Sequence, residues 1–137
     1  MQTERWPQIV PQPAQDKRAP DEHRFAWGEK KILTDWLNAA VQRLVETLRP
    51  ERILLFGSFA RCTAGRHSDV DLLIVWDTEL RPLERIGRAL ELLADAPRPV
   101  DVLVYTPREF QERCDLPFLR GILREAQVLY ERREASS

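Results

Sequence analysis

Leu55-Phe56-Gly57-Ser58-Phe59-Ala60-Arg61, followed after a short gap by Ser68-Asp69-Val70-Asp71-Leu72-Leu73-Ile74-Val75, governs everything else in this chain. Ile53 to Phe56 is a continuous apolar run closed by Gly57-Ser58, the pattern of a buried strand that meets a turn. Ser58 to Cys62 reads as the start of a short helix and Thr63 to Ser68 as loop. Val70 to Trp76 then gives a second strand, too apolar to face water on both sides. Side chains alternate along a strand, so Asp69 and Asp71 point the same way, roughly 6–7 Å apart at the backbone, while Val70, Leu72 and Ile74 point the other way.

Outward from this pair of strands the periodicity changes. Ile32, Leu33, Trp36, Leu37, Ala40, Val41, Leu44, Val45 and Leu48 recur at steps of three and four, forming one apolar face of a helix that starts near Trp27 and ends before Pro50. Leu83, Ile86, Leu90 and Leu93 mark a second helix, stopped by Pro97 and Pro99. Val100, Val102, Leu103 and Val104 form a third strand. Leu119, Ile122, Leu123 and Ala126 form a terminal helix, and Val128 to Tyr130 are either its last turn or a short extra strand. The order helix, strand, strand, helix, strand, helix makes an α/β (α+β) domain whose helices cover one or both faces of a short sheet. Residues 1–25 carry four prolines among polar residues and read as a flexible Pro-rich arm, leaving 26–137 as the domain.

Composition sets the outer limits. A chain of 137 residues, 43% hydrophobic and 31% charged, can bury roughly two-thirds of its unfolded surface without metal or disulfide staples. It has little room for a separate domain that grips a second substrate. The balance of 21 basic against 22 acidic residues, net −1, argues against direct nucleic-acid binding. Two cysteines do not make a secreted framework, the N-terminus is not a signal peptide, and no window approaches the ~18 apolar residues of a membrane span; the expected compartment is the cytoplasm. His23, His67, Cys62 and Cys114 lack the spacing of a zinc site, and no histidine is placed by sequence to activate Cys62 as a nucleophile.

The carboxylates carry the chemistry. Asp69 and Asp71 side by side repel one another unless a cation lies between them, and oxygen-only ligation suits Mg²⁺, which keeps waters and takes its remaining ligands from substrate phosphates. Asp101 opens the third strand and shares a face with Leu103 and Tyr105; if the second and third strands are neighbours, about 4.8 Å apart, it faces the same metals. Three carboxylates on one sheet face match a two-metal site for in-line phosphoryl displacement, with Asp101 placed to take the acceptor's proton. Gly57 allows close backbone approach to a phosphate, Ser58 adds a donor, and Arg61 is the nearby cation; these three form the candidate nucleotide-binding set. Individually each has a plainer reading: a turn and cap for Gly57-Ser58, a solvated strand start for Asp101, a surface charge for Arg61.

Taken together, Gly57-Ser58-Phe59-Ala60-Arg61, Ser68-Asp69-Val70-Asp71-Leu72 and Val100-Asp101-Val102-Leu103-Val104 resemble the DNA polymerase β nucleotidyltransferase superfamily, and within it the small MNT-type proteins, over residues 27 to 131. The resemblance implies a nucleotidyltransferase fold, a short mixed sheet flanked by helices. It implies Gly57 and Ser58 on the triphosphate, Asp69, Asp71 and Asp101 as ligands of two Mg²⁺ ions, and ATP as substrate. It further implies an antitoxin that transfers AMP to a tyrosine of a HEPN-domain toxin, a separate chain, in a homo- or hetero-oligomer. Two other readings stand beside it: nucleotidyl transfer to a small hydroxylated molecule, as in the similar aminoglycoside nucleotidyltransferases, and a non-catalytic module that masks its partner by contact. Two departures are visible: Cys62 stands where the family has glycine after the motif arginine, and Ala126 replaces a glycine near the terminal strand.

Overall fold

Helix α1 (Trp27–Leu48) runs for 22 residues and buries Leu33, Leu37, Ala40, Val41, Leu44, Val45 and Leu48. The computed structural model describes residues 27–65 and 68–133; the arm read at 1–25, the side chain of Trp27, and His67 lie outside the described residues. Ile32, which the periodicity assigns to the apolar face, is exposed, and Trp36 is half-buried with its indole Nε1 donating to Asp95 at 2.9 Å. The helix closes at Arg49, which adopts φ 53° and donates its amide to Val45 O at 3.0 Å, a left-handed cap made without glycine.

Four strands follow: β1 (Arg52–Phe56), β2 (Val70–Val75), β3 (Val100–Tyr105) and β4 (Gln127–Glu131), in the spatial order β3-β2-β1-β4. β1 pairs antiparallel with both β2 and β4, whereas β2 and β3 are parallel and are joined across helix α2 (Pro82–Leu92). Parallel pairing demands such a crossover, and the interior position of β2 explains its unbroken apolar run: Leu72, Leu73 and Ile74 are all fully buried. The residues from Val128 to Tyr130 are a strand. A register shift between Ile53 and Leu54 of β1 lets successive β4 residues, Leu129 and Tyr130, both enter the core.

Both faces of the sheet are covered. Ile53, Leu55, Val70, Leu72, Ile74, Val102 and Val104 pack against α1 and α2; Leu54, Leu73, Val75, Leu103 and Tyr105 pack against α3 (Pro107–Arg113) and α4 (Pro117–Glu125). The alternation expected of β2 and β3 holds residue by residue. In α2 the inward side chains are Ile86, Ala89 and Leu93, while Leu83 and Leu90, expected on the apolar stripe, point outward. α3 is an element that apolar periodicity misses. Thr106 caps it, accepting from Glu109 N at 3.1 Å while Glu109 Oε1 accepts from Thr106 N at 3.1 Å, with Pro107 at the first helical position. Among the described residues no helix is long and apolar enough to cross a membrane.

α2 and α3 are locked by Arg85, whose guanidinium meets Glu109 at 2.8 and 3.3 Å and donates to Leu80 O at 2.8 Å. The arginine depresses the Glu109 carboxyl below its ordinary 4.5. The pair therefore stabilises the fold fully above the unfolded-state value, and its contribution is lost as pH falls through the depressed folded one. Arg85→Met is expected to cost roughly 2–3 kcal/mol in urea denaturation at neutral pH, less than the loss of one partner from a fully buried pair, because Glu109 still meets solvent. The difference between variant and wild type should shrink as pH falls through that window.

Candidate active site

The sheet topology brings Asp71 and Asp101 to one end of one face, and Asp69, one residue ahead of β2, lies near enough for its charge to act on Asp71. In the parallel register Asp71 lies opposite Asp101, and Asp71 also pairs with Phe56, the last residue of β1 before Gly57. Asp71 and Asp101 sit in the alternating row that continues through Leu73 and Leu103, so their carboxylates project on the α3/α4 side beyond the last apolar contacts.

Gly57 is fitted to Asp71. Its φ is +79°, and a Cβ placed on it would overlap Asp71 Oδ2 and come within 3.1 Å of Cγ. Glycine is required twice here: for the left-handed backbone, and for the approach of a carboxylate to the main chain. Asp71 is also the electrostatically perturbed member of the cluster. Its pKa is raised, first by burial and then by the charges of Asp101 and Asp69, with Arg61 opposing. Among the described residues no three His, Cys, Asp or Glu side chains close into a cage for an ion. What the chain offers is an open group of carboxylates in which the charges of Asp101 and Asp69 outweigh that of Arg61 at Asp71, which suits a cation that retains waters and draws other ligands from phosphates.

Ser58 to Cys62 is a single coiled turn instead of the short helix expected. Arg61 N reaches Gly57 O at 3.1 Å, Cys62 N reaches Phe59 O at 3.3 Å, and Thr63 N reaches Ser58 O at 2.9 Å. A helix macrodipole thus gives no help to an anion at Gly57-Ser58; what remains is the close-approach geometry of the turn. The reason for the early stop is Cys62, which takes φ 63°. A side chain in this region costs about 1 kcal/mol, so Cys62→Gly is expected to stabilise the protein by roughly 0.5–1 kcal/mol, read as a raised midpoint in urea.

Arg61 does not point freely at the cleft. It pairs with Glu125, the last residue of α4, at 3.0 Å, and both side chains are about half exposed. Next to it Gln127 Nε2 donates to Ala60 O at 2.9 Å. These two contacts tie the turn to the α4–β4 junction, and no local sequence signal marks them, since they span 64 and 67 residues. Cys62 and Cys114 are free thiols.

A family model described as Polymerase beta, Nucleotidyltransferase matches residues 39–135. Two proteins of Methanocaldococcus jannaschii, each named as a candidate protein adenylyltransferase, are 29% identical to it. One aligns over 102 residues, 74% of this chain and 98% of the relative. The other aligns over 113 residues, 76% of each. Among solved structures, a candidate nucleotidyltransferase from Sulfolobus solfataricus superposes with a TM-score of 0.55 at 18% identity, covering 75% of this chain and 84% of that one. A mutant of the toxin–antitoxin MntA-HpeT gives 0.53 at 18% identity, covering 71% and 73%. At such identity the structural likeness speaks to the fold alone.

Proposed function

The chain belongs to the polymerase beta nucleotidyltransferase family and is a nucleotidyltransferase, and we propose that it transfers AMP from ATP to a tyrosine hydroxyl of a HEPN-domain toxin, acting as that toxin's antitoxin. The observation that carries the reading is Asp71, pressed against Gly57 and in register with Asp101, at the mouth of the sheet. The naming of the two archaeal relatives as candidate protein adenylyltransferases supports a protein acceptor. The shared fold with MntA-HpeT is consistent with a toxin partner.

In this reading Gly57 and Ser58 hold the triphosphate, and Arg61 lends positive charge to it when released from Glu125. Asp69, Asp71 and Asp101 would hold two Mg²⁺ ions, which when bound offset phosphate charge and acidify the acceptor hydroxyl. The acceptor oxygen forms a bond to the α-phosphorus as the bond from that phosphorus to the bridging oxygen breaks. Pyrophosphate leaves, and the hydroxyl proton passes to Asp101. The domain is 26–137, with the cytoplasm as its compartment.

The direct test incubates the protein, Mg²⁺, the purified toxin and ATP labelled on its α-phosphate. Label is expected on a toxin tyrosine, and chelation should abolish it. Label on a small hydroxylated molecule and on no protein would establish the other acceptor class instead.

A further inference from the structure

Arg98 lies three residues before Asp101, outside every motif, yet its side chain joins the segments on which the site depends. Its Nε donates to Ser68 O at 3.1 Å, and its Nη2 donates to Gly65 O and to Ser68 O, both at 2.9 Å. Its guanidinium also lies over the ring of Phe59, 5.8 Å from the centroid. Phe59 follows Ser58, and Ser68 precedes Asp69, so one side chain grips both ends of the loop between β1 and β2.

The grip is preset from both sides. Pro97 and Pro99 flank Arg98 at a bend in the chain, and each ring fixes its own φ angle, which narrows the backbone freedom on both sides of Arg98. Pro99 O accepts at 2.9 Å from the amide of Val70, the residue between Asp69 and Asp71. On the loop side, Gly65 and Ser68 close on each other: Gly65 N donates to Ser68 Oγ at 2.9 Å, and Ser68 N to Gly65 O at 3.3 Å. The two carbonyls that Arg98 takes are thus already held to one another.

We infer that Arg98 is a positioning residue for nucleotide binding: it clamps Phe59, Gly65 and Ser68 together so that Gly57-Ser58 and Asp69-Asp71 stand in one fixed relation before the nucleotide arrives. The inference rests on the nucleotidyltransferase reading of the site. Arginine suits the task because its planar fork donates along two edges while its face stacks on an aromatic ring. Lysine offers a point charge with neither property.

The test compares wild type, Arg98→Ala and Arg98→Lys in two measurements. Amide hydrogen exchange without ligand should quicken by about tenfold or more at residues 59–65 and 68–69 in Arg98→Ala, with the core amides of β1, β2 and β3 unchanged. Affinity for a non-hydrolysable ATP analogue with Mg²⁺ should fall by roughly tenfold in Arg98→Ala and by less in Arg98→Lys, with KM for ATP rising in parallel and kcat nearly constant. Unchanged loop exchange, or unchanged analogue affinity in a variant whose loop has loosened, overturns the inference and leaves the nucleotidyltransferase reading intact. A wild-type protein that binds no analogue overturns that reading, and the nucleotide role of Arg98 with it. Equal quickening of exchange across the whole sheet in Arg98→Ala would make the residue merely structural, which also overturns it.

Discussion

Gly57→Ala is expected to lower nucleotidyl transfer by about a hundredfold or more and stability by about 2–3 kcal/mol. Two effects combine. The left-handed φ of +79° penalises any L side chain, and the new methyl group occupies the place of Asp71 Oδ2. Something has to move, and the choices are the Asp71 carboxylate or the turn, both of them parts of the proposed nucleotide site. Gly87→Ala and Gly121→Ala serve as controls. Both glycines lie inside helices with open space where a Cβ would go, so each change is expected to add up to about 1 kcal/mol of stability and to leave transfer untouched. Near-normal transfer by Gly57→Ala would mean that the turn does not set the position of the carboxylate.

Asp71→Asn is expected to abolish transfer while making the metal-free protein more stable at neutral pH. The sign follows from the raised pKa of Asp71, which burial and the charges of Asp101 and Asp69 produce. A carboxylate whose folded pKa lies above its unfolded 3.8 weakens the fold once it is ionised. That penalty is complete above the raised folded pKa and disappears as pH falls below the unfolded one. The variant's advantage in thermal melts should therefore be full at neutral pH and fade in acid. By the same linkage, Mg²⁺ competes with protons at this carboxylate, so affinity for the ion in the wild type should rise with pH through the carboxylate range. A stabilised fold with lost transfer would separate the role of Asp71 in chemistry from any role in folding.

The sheet could be read from the chain because period-two alternation is a local signal. Val70, Leu72 and Ile74 on one face against Asp71 and Leu73 on the other follow from six consecutive residues, and the structure places those faces as the alternation requires. The neighbouring of β2 and β3 was a condition in the sequence and is a fact in the fold. Helix stripes were less exact: Ile32, Leu83 and Leu90 fit the spacing but fall on the solvent side, because spacing fixes a helical face without saying how wide the packed stripe is. α3 was missed for the opposite reason. It is short and has no buried side chain, so it left its mark in the Thr106-Pro107-Arg108-Glu109 capping box instead of in hydrophobic period. The coil at Ser58–Cys62 turned on a positive φ at a cysteine, a choice of backbone that residue type argues against. Arg61 with Glu125, and Arg98 with Gly65 and Ser68, are contacts between distant segments, and no pattern within a window reports them.

The account stands most directly on whether the carboxylates do chemistry or merely line a surface that the partner covers. The deciding measurement is neutralisation of the purified toxin's activity, in the presence of ATP and Mg²⁺, by wild type and by Asp71→Asn at equal concentration with binding to the toxin checked in both. The account predicts that the variant still binds but leaves the toxin active, while the wild type silences it and leaves AMP on it. Full neutralisation by Asp71→Asn, with no AMP transferred, would contradict the account and identify the protein as a module that acts by contact alone.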